Sequence, residues 1–269
     1  MYRIIRWNLS KKASYFKQAD AFLVSIPASG RNWIRVFLYS YFANCEGSEF
    51  TLDEKKWSLT CFPKVIFTHD LWEHITARRT WDRIRGKHLI NPILRHQKPI
   101  LLLVRDPRDV VVSLYFQLTK RSHSFSGELS EMIRHPMFGI QTIVNIMNTW
   151  LHEWEDKANF KMIHYEYCRA FTEKAFLEIL NFLGIKEVND TAFANSLKFS
   201  SFDNMKRLES NKQFGKSILV PGDRNDPESY KVRRGKVGGF KEYMNREDIC
   251  YLEQAMANLD SRFGYGKGC

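Results

Sequence analysis

Two segments of the sequence have the residue types and spacing of phosphate-binding turns. The first, residues 27–33 (PASGRNW), connects an apolar run with a helical pattern. Backbone N–H groups at a tight glycine turn, together with the positive end of the following helix, attract an anion. The pattern G-x-x-x-x-G-K-[ST] is missing, so the segment is not a nucleoside-triphosphatase loop. An ordinary strand–helix turn is the alternative interpretation.

The second segment, residues 104–113 (VRDPRDVVVS), places an arginine and a hydroxyl at a similar junction. Arg105 ends an apolar run, and Ser113 lies within the helical pattern that follows it. An arginine fork and a hydroxyl that converge at the end of a strand could hold a second phosphate. A structural ion pair between Arg105 and Asp109 is the alternative.

Four apolar runs predict the strands that position these turns. They lack polar alternation, which is typical of parallel strands covered on both faces. The runs are Ala21–Ile26, Val65–Thr68, Ile100–Arg105 and Phe160–Tyr165.

Helical patterns lie between and after the strands, and they are Arg31–Phe42, Pro107–Thr119, Met137–Glu155, Thr172–Phe182 and Asn245–Phe263. Such alternation predicts an α/β fold, with a central parallel sheet flanked by helices and the ligand site at the carboxyl ends of the strands. We expect one domain over residues 21–269, preceded by an N-terminal arm over residues 1–20.

Composition restricts the class of partner. Among 269 residues, Lys and Arg outnumber Asp and Glu by 41 to 30, a formal charge of +11. This surplus suggests a nucleic acid, an acidic membrane or a multiply phosphorylated small molecule as partner. Tyr2 and Trp7, among basic residues, leave a peripheral membrane contact open.

Other sequence features bear on compartment and metal binding. No apolar run approaches the ~20 residues of a membrane helix, and no signal peptide is evident. A cytoplasmic protein is therefore expected. The cysteines and histidines lack metal-ligand spacing, so no metal is predicted.

Together the segments resemble the sulfotransferases that use 3′-phosphoadenosine 5′-phosphosulfate (PAPS). The 5′-phosphosulfate loop of that family reads Pro-Lys-Ser-Gly-Thr-Thr-Trp, and its register is matched by Pro27, Ser29, Gly30 and Trp33. The 3′-phosphate signature reads Arg-Asn-Pro-Lys-Asp-x-x-x-Ser, and it is matched by Arg105, Pro107, Asp109 and Ser113.

Three further family blocks follow in the same order along the chain. Tyr-Glu after a strand is matched by Tyr165 and Glu166, and Thr-Ser-Phe-x-x-Met-Lys by residues 200–206. The block Arg-Lys-Gly-x-x-Gly-Asp-Trp-Lys is matched by Arg233, Arg234, Gly235, Gly238, Phe240 and Lys241. Five blocks in family order are far more specific than any one of them.

The resemblance implies a phosphate-binding loop like that of P-loop kinases, and a role for each matching residue. The 5′-phosphate would be held by backbone N–H groups of Ser29, Gly30, Arg31 and Asn32. The 3′-phosphate would be held by Arg105, Ser113, Arg233, Arg234 and Gly235. The adenine would lie among Trp33, Phe202 and Met205, with polar contacts from Tyr165 and Ser200. A place in the core is the alternative for the three apolar side chains.

The resemblance also implies a catalytic base at the end of the second strand. The family has Lys-Thr-His there, and this chain has Phe67-Thr68-His69, followed by Asp70. Histidine titrates near neutral pH and can take the proton of an acceptor hydroxyl. Asp70 is expected either to orient His69 or to act as a base itself.

Two lysines of the family pattern are missing from this chain. The loop lysine is Ala28, and the lysine two residues before the histidine is Phe67. Arg31, which stands in place of a threonine, is expected to restore one cation for catalysis. The polar, basic stretch Glu209–Phe240 is predicted to be a loop that becomes ordered around the donor.

The leading hypothesis is an enzyme that transfers a sulfonate group from PAPS to a hydroxyl by in-line displacement. The acceptor is unidentified: a small molecule, a lipid or a glycan. The alternatives are a kinase on a related scaffold and an inactive nucleotide-binding protein. The basic residues fall inside the donor blocks, so a nucleic-acid partner is not expected.

Six apolar residues are predicted either to line an apolar acceptor pocket or to lie in the core. They are Phe125, Met132, Met137, Phe138, Ile140 and Trp150. The oligomeric state is left open.

Overall fold

Four parallel strands form one central sheet. The computed structural model describes residues 11–52, 61–211, 213 and 219–266. The strands are β1 (Ala21–Ser25), β2 (Val65–Thr68), β3 (Ile100–Val104) and β4 (Phe160–His164), in the order β2-β1-β3-β4. Every pair of neighbours is parallel. The prediction of an α/β fold with a central parallel sheet is confirmed.

Helices cover both faces of this sheet. Their bounds are α1 Lys11–Lys17, α2 Arg31–Glu46, α3 Leu71–Ile75, α4 Thr80–Ile84, α5 Pro92–Gln97, α6 Pro107–Phe116, α7 Leu129–Arg134, α8 Ile140–Trp154, α9 Tyr165–Ala170, α10 Thr172–Phe182, α11 Asp190–Phe199, α12 Phe202–Ser210 and α13 Arg246–Met256.

Side chains that alternate along the strands enter two apolar layers. On β3, Ile100, Leu102 and Val104 pack into one layer, whereas Leu101 and Leu103 pack into the other. The first layer contains side chains of α6, α8 and α13, and the second contains those of α2, α10 and α11. Burial on both faces explains why the strand sequences show no polar alternation.

The structure corrects several predicted helix bounds. The helix after β1 extends to Glu46 and ends at Gly47, whose φ is +65°. After Phe116 the backbone continues as a π-helical turn over Gln117–Arg121. The helix before β4 begins at Ile140 rather than at Met137.

The last predicted helix is shorter than expected, although its first turn is as predicted. The side chain of Asn245 accepts a hydrogen bond from the backbone N–H of Asp248 at 2.8 Å, so it caps α13. The helix ends at Met256, and the chain then reaches a 3₁₀ turn at Ser261–Phe263.

The beginning of the chain bears on two of the predictions. Within α1, the ring of Phe16 packs edge-on against Phe22 of β1, with the centroids 5.6 Å apart. Tyr2 and Trp7, which suggested a membrane contact, lie outside the described residues. Among the helices of the described residues, none is long and apolar enough to span a membrane.

Candidate active site

A cleft opens at the carboxyl edge of the sheet, where both predicted phosphate-binding turns lie. It has about 1310 Å³ of space between its walls, part of it open to solvent. Thirteen of the residues predicted for the site line it: Gly30, Arg31, Asn32, Trp33, His69, Arg105, Ser113, Tyr165, Phe202, Met205, Arg233, Arg234 and Gly235.

The first turn has an unusual backbone at two positions. Ala28 and Gly30 have φ values of +66° and +94°, and α2 begins at the next residue, Arg31. Left-handed residues among right-handed ones turn successive N–H groups toward one side, and the first N–H groups of a helix have no partner within it. The turn therefore offers several donors to an anion.

Glycine is required at position 30 for a second reason. A Cβ atom there would lie 2.6 Å from Cδ2 of the Tyr165 ring, which is closer than carbon atoms can approach. Tyr165 begins α9 directly after β4, so the turn after β1 and the end of β4 meet at this glycine.

Arg105 connects three segments of the cleft wall. Its guanidinium donates to the carbonyl oxygen of Ala28 at 3.0 Å, to the Ser113 hydroxyl at 3.3 Å and to the carbonyl oxygen of Lys236 at 3.1 Å. It also lies over the ring of Tyr165, 4.5 Å from the centroid. Arg105 thus brings the first turn, α6 and the basic loop together.

Asp109 holds the basic loop against α6. Its two carboxylate oxygens accept hydrogen bonds from the backbone N–H groups of Gly238 at 2.7 Å and Phe240 at 3.0 Å. Its nearest approach to the Arg105 guanidinium is 3.9 Å. The ion pair between these two residues therefore exists, but Asp109 mainly binds backbone.

Arg233 and Arg234 enter the cleft from the basic loop with carboxylates beside them. Arg233 donates to Glu228 at 2.7 Å and to the Tyr243 hydroxyl at 2.5 Å, and it stacks on Phe116, 4.3 Å from the ring centroid. Arg234 forms ion pairs with Glu228 at 3.1 Å and with Glu242 at 3.0 Å. The positive charge here is partly balanced within the protein.

Aromatic side chains form a flat apolar wall near this point. Trp33 and Phe202 both lie close to the Arg169 guanidinium, which is 5.7 Å from each ring centroid. Met205 is buried beneath. A Cβ atom on Gly235 would lie 2.7 Å from the Phe202 ring, so this glycine lets the loop approach the wall closely. Arg169 was not predicted from the sequence.

His69 follows β2 and is held in one tautomer. Its Nδ1 lies 2.7 Å from the carbonyl oxygen of Ser25. A carbonyl oxygen only accepts, so Nδ1 carries the proton and Nε2 keeps its lone pair. Burial, followed by the positive charge of Arg31, lowers the pKa of His69 well below its usual value. The ring is neutral near pH 7 and can accept a proton at Nε2.

The carboxylate of Asp70 binds core groups and not His69. The geometry therefore does not support the expectation that Asp70 orients His69 or acts as a base. It is fully buried, and it accepts hydrogen bonds from the Ile90 N–H at 2.6 Å, the Trp150 indole at 3.3 Å and Arg95 at 3.4 Å. The atom that an orienting carboxylate would bind, Nδ1 of His69, is bonded to Ser25 instead.

Two predicted polar contacts also lie outside the cleft lining. The side chain of Ser29 is buried within the first turn. Ser200 is buried where α11 ends, and its hydroxyl donates to the carbonyl oxygen of Leu197 at 3.4 Å. Ser29 can still offer its backbone N–H to the 5′-phosphate, whereas Ser200 is better explained as a structural residue.

A second group of basic residues lies toward His69, and we call Arg31, Arg35, Arg121 and Lys231 the His69-side cations. Three of them act electrostatically on His69, and the fourth, Arg121, acts on Lys231. Arg31, Arg121 and Lys231 line the cleft. Arg35 is buried behind it and stacks on Phe67, with 4.4 Å between its guanidinium carbon and the ring centroid. Phe67 is the residue that replaces a lysine of the family pattern.

Lys231 is the member of this group whose titration is most altered. It faces the cleft from the loop, and its backbone N–H donates to Glu209 at 2.7 Å. The loss of surrounding water and the positive charges of Arg121, Arg31 and Arg35 lower the pKa of Lys231 to about 7. Lys231 belongs to the predicted basic stretch Glu209–Phe240 and had no individual role predicted from the sequence. The two missing family lysines were the signal that other cations were needed.

The predicted apolar acceptor residues do not form the wall of this cleft. Met132, Ile140 and Trp150 are buried in the core layer that contains α8, and Phe125 and Phe138 pack against that layer. The core interpretation therefore applies to these five side chains. Met137 is exposed at 36%.

The described residues contain no group of three or more His, Cys, Asp or Glu side chains that could hold a metal ion.

Comparison with known proteins defines the family. The family described as "Sulfotransferase domain" matches residues 18–264, so the chain belongs to the sulfotransferase family. Similar curated proteins include Sulfotransferase 2A6 of Rattus norvegicus, 24% identical over 84% of this chain and 79% of that protein. Cytosolic sulfotransferase 13 of Arabidopsis thaliana is 22% identical over 87% of this chain and 74% of that protein.

Solved structures share the fold at low sequence identity. Mouse sulfotransferase SULT7A1 complexed with PAP has a TM-score of 0.62 and 19% identity, and the match covers 90% of this chain and 84% of that one. Retinol dehydratase in complex with androsterone and the inactive cofactor PAP has a TM-score of 0.59 and 16% identity, covering 94% and 85%. The family predicted from the five sequence blocks is confirmed.

The hydrogen bonds that fix the basic loop at two positions predict where donor binding should slow hydrogen exchange. Val232 is tied to Glu209 at 2.9 Å, and Gly238 is tied to Asp109. Between these anchors lie Arg233 and Arg234, whose contacts are mainly side-chain ion pairs. Adenosine 3′,5′-bisphosphate should therefore slow hydrogen exchange most in residues 233–237. Unchanged exchange over residues 219–240 at saturating bisphosphate would contradict this.

Proposed function

We propose that this protein transfers the sulfonate group of PAPS to a hydroxyl group of an acceptor. The observation that carries the proposal is His69, a neutral base with Nε2 unprotonated, in the same cleft as the glycine turn and the arginines. Similar proteins are named sulfotransferases, and two similar structures contain PAP, which supports the same nucleotide for this chain.

The walls of the cleft suggest how the donor binds. The turn that ends at Gly30 would take the 5′-phosphosulfate on its N–H groups. Arg105 and Ser113, with the loop arginines Arg233 and Arg234, would take the 3′-phosphate, because planar guanidiniums suit phosphate oxygens. The aromatic wall would hold the adenine.

The transfer itself requires one bond to form and one to break at sulfur. The acceptor oxygen attacks the sulfur, the bond between sulfur and the bridging phosphate oxygen breaks, and adenosine 3′,5′-bisphosphate leaves. The acceptor proton passes to Nε2 of His69, because Nδ1 is already protonated and bonded to Ser25. Negative charge grows on the bridging oxygen during this step, so cations near it lower the barrier.

Arg31 is the cation expected to serve the leaving group. It begins α2 beside the glycine turn, lines the cleft, and its charge acts on His69. Replacing Arg31 by alanine should slow turnover by more than it weakens bisphosphate binding, since the bridging oxygen gains charge only in the transition state. Steady-state kinetics and calorimetry on the same variant compare the two effects.

The second variant in this test restores the family lysine. Ala28 lines the cleft with a φ of +66°, and lysine there has no larger backbone penalty than alanine because both carry a Cβ. Ala28→Lys in the Arg31→Ala background should recover part of the lost rate. Normal turnover by Arg31→Ala alone would show that Arg31 has no part in catalysis.

Donor binding and acceptor turnover test the proposed function directly. Calorimetry should show that adenosine 3′,5′-bisphosphate binds more tightly than ATP, and mass spectrometry should detect sulfonated products from PAPS. Tighter binding of ATP, with phosphoryl transfer that depends on Mg²⁺, would indicate a kinase. Bisphosphate binding without turnover of any acceptor would indicate an inactive nucleotide-binding protein.

A further inference from the structure

The end of the cleft around His69 has a higher net positive charge than the 3′-phosphate end, where carboxylates pair with the arginines. There, Arg233 and Arg234 have Glu228 and Glu242 as partners. At the His69 end, the charges of Arg31, Lys231 and Arg35 all act on the histidine and disfavour its protonation.

Two carboxylates act on these cations: Glu73 interacts electrostatically with Arg31, and Glu209 with Lys231. Glu209 is fully buried, and its two oxygens accept hydrogen bonds from the backbone N–H groups of Lys231 at 2.7 Å and Val232 at 2.9 Å. Its charge opposes the loss of the Lys231 proton, but burial, followed by the charges of Arg121, Arg31 and Arg35, still lowers the pKa of Lys231 to about 7. The charges of the described residues therefore make the electrostatic potential at Lys231 positive.

Like charges held close together disfavour folding, and such groups are commonly found where an anion binds. The 5′-phosphosulfate accounts for Arg31, which adjoins the glycine turn. Arg121 and Lys231 belong to other segments: the π-helical turn after α6 and the basic loop. Arg121 is fixed there by a hydrogen bond to the carbonyl oxygen of Val220 at 2.9 Å.

We infer that the acceptor is itself an anion, a hydroxyl compound with a carboxylate, phosphate or sulfate group that binds Arg121 and Lys231 beside His69. This inference rests on the proposed function, and it defines the class of acceptor. An anionic group held by these two side chains would place the hydroxyl of the same molecule near Nε2 of His69. The guanidinium of Arg121 suits a planar carboxylate, and the ammonium of Lys231 adds a point charge.

Matched pairs of acceptors that differ by one carboxylate test this inference. The pairs are 2-naphthol with 6-hydroxy-2-naphthoate, and benzyl alcohol with 4-(hydroxymethyl)benzoate, each incubated with PAPS. The anionic member of each pair should have a kcat/KM about tenfold to a hundredfold higher, the range of one or two charged hydrogen bonds. Equal or better turnover of the neutral members, with bisphosphate binding intact, overturns the inference and leaves the proposed function standing.

Variants connect the preference to the two residues. Lys231→Gln and Arg121→Gln should each lower kcat/KM for the anionic member by more than for the neutral member, so that most of the preference is lost. Lys120→Gln is the matched control, because Lys120 adjoins Arg121 yet is exposed and paired with Asp226 at 3.3 Å. A preference that persists in both variants overturns the assignment of Arg121 and Lys231.

Binding provides a readout independent of turnover. Calorimetry on the enzyme saturated with bisphosphate should show 6-hydroxy-2-naphthoate binding more tightly than 2-naphthol, with the difference lost in Lys231→Gln. Equal affinities would overturn the inference. If bisphosphate itself fails to bind, the proposed function fails first, and the two failures are thereby distinguished.

Because the pKa of Lys231 is low, the affinity for an anionic acceptor should depend on pH in a way that a structural lysine would not produce. Lys231 is charged below its pKa, so naphthoate affinity is full at low pH and falls as pH rises through that pKa. Bound bisphosphate is negative and moves this loss above pH 7. Lys231→Arg stays charged and should keep its affinity to pH 9. An identical pH dependence in the parent and in Lys231→Arg contradicts a role for the ammonium charge.

Discussion

Replacing His69 by alanine should lower turnover by about 10²- to 10⁴-fold, the range typical of general base catalysis. The affinity for adenosine 3′,5′-bisphosphate should remain near that of the parent, because the product carries no group that needs this base. The Ser25 carbonyl holds the ring by Nδ1, so the lost group is a base whose free nitrogen has a fixed position. Single-turnover kinetics with PAPS, together with calorimetry, measures both quantities.

The matched control is His74→Ala. His74 lies one turn further along the chain, within α3, and is partly buried without lining the cleft. Its loss should leave turnover near the parental value. A His69→Ala variant that turns over normally would exclude His69 as the base.

The pH dependence of turnover follows from the direction of the His69 shift. Because the pKa of His69 is lowered, the neutral form persists well below pH 6.5, and activity is lost only when the ring becomes protonated below that point. An acidic limb centred above pH 6.5 would contradict a neutral base in this environment.

The strands were predictable from the sequence because their environment is uniform. Ala21–Ser25 and Ile100–Val104 are buried on both faces, so every residue is small or apolar and the pattern is continuous. The short helices were not predictable. Leu71–Ile75 and Thr80–Ile84 contain five residues each, which is too few for a helical period to appear.

The phosphate-binding turns and His69 were predictable because they occupy the ends of strands, where parallel topology brings them together. The orientation of Asp70 was not predictable in this way, because β2 ends at Thr68 and Asp70 has a φ of +39°, so the alternation of strand side chains does not extend to it. Its carboxylate binds the Trp150 indole of the core layer.

Lys231 and Arg121 could not be placed from the sequence. Each lies in a segment without regular periodicity, a long loop in one case and a π-helical turn in the other. Their position beside His69 depends on tertiary contacts, such as the two backbone hydrogen bonds to buried Glu209. The loss of two family lysines indicated that cations were needed but not which residues supply them.

Replacing Arg105 by alanine should weaken bisphosphate binding about tenfold to a hundredfold. Hydrogen bonds between charged partners contribute about 1.5–3 kcal/mol. Arg105 is 9% exposed and joins the Ala28 carbonyl, Ser113 and the Lys236 carbonyl, so its loss also loosens three walls of the site. Arg105→Lys should recover little, because an ammonium cannot reproduce this planar fork.

Arg233→Ala tests how much the contact with the 3′-phosphate contributes to bisphosphate affinity, separately from the role of Arg105 in holding the cleft walls together. Arg105 bonds the backbone carbonyl oxygens of two separate segments, whereas Arg233 contacts the side chains of Glu228, Tyr243 and Phe116. Its loss should weaken bisphosphate binding over a similar range, with a smaller decrease in melting temperature. Arg246→Ala is the control, since Arg246 is exposed in the first turn of α13. If calorimetry finds parental affinity in both Arg105→Ala and Arg233→Ala, the 3′-phosphate binds elsewhere in the cleft.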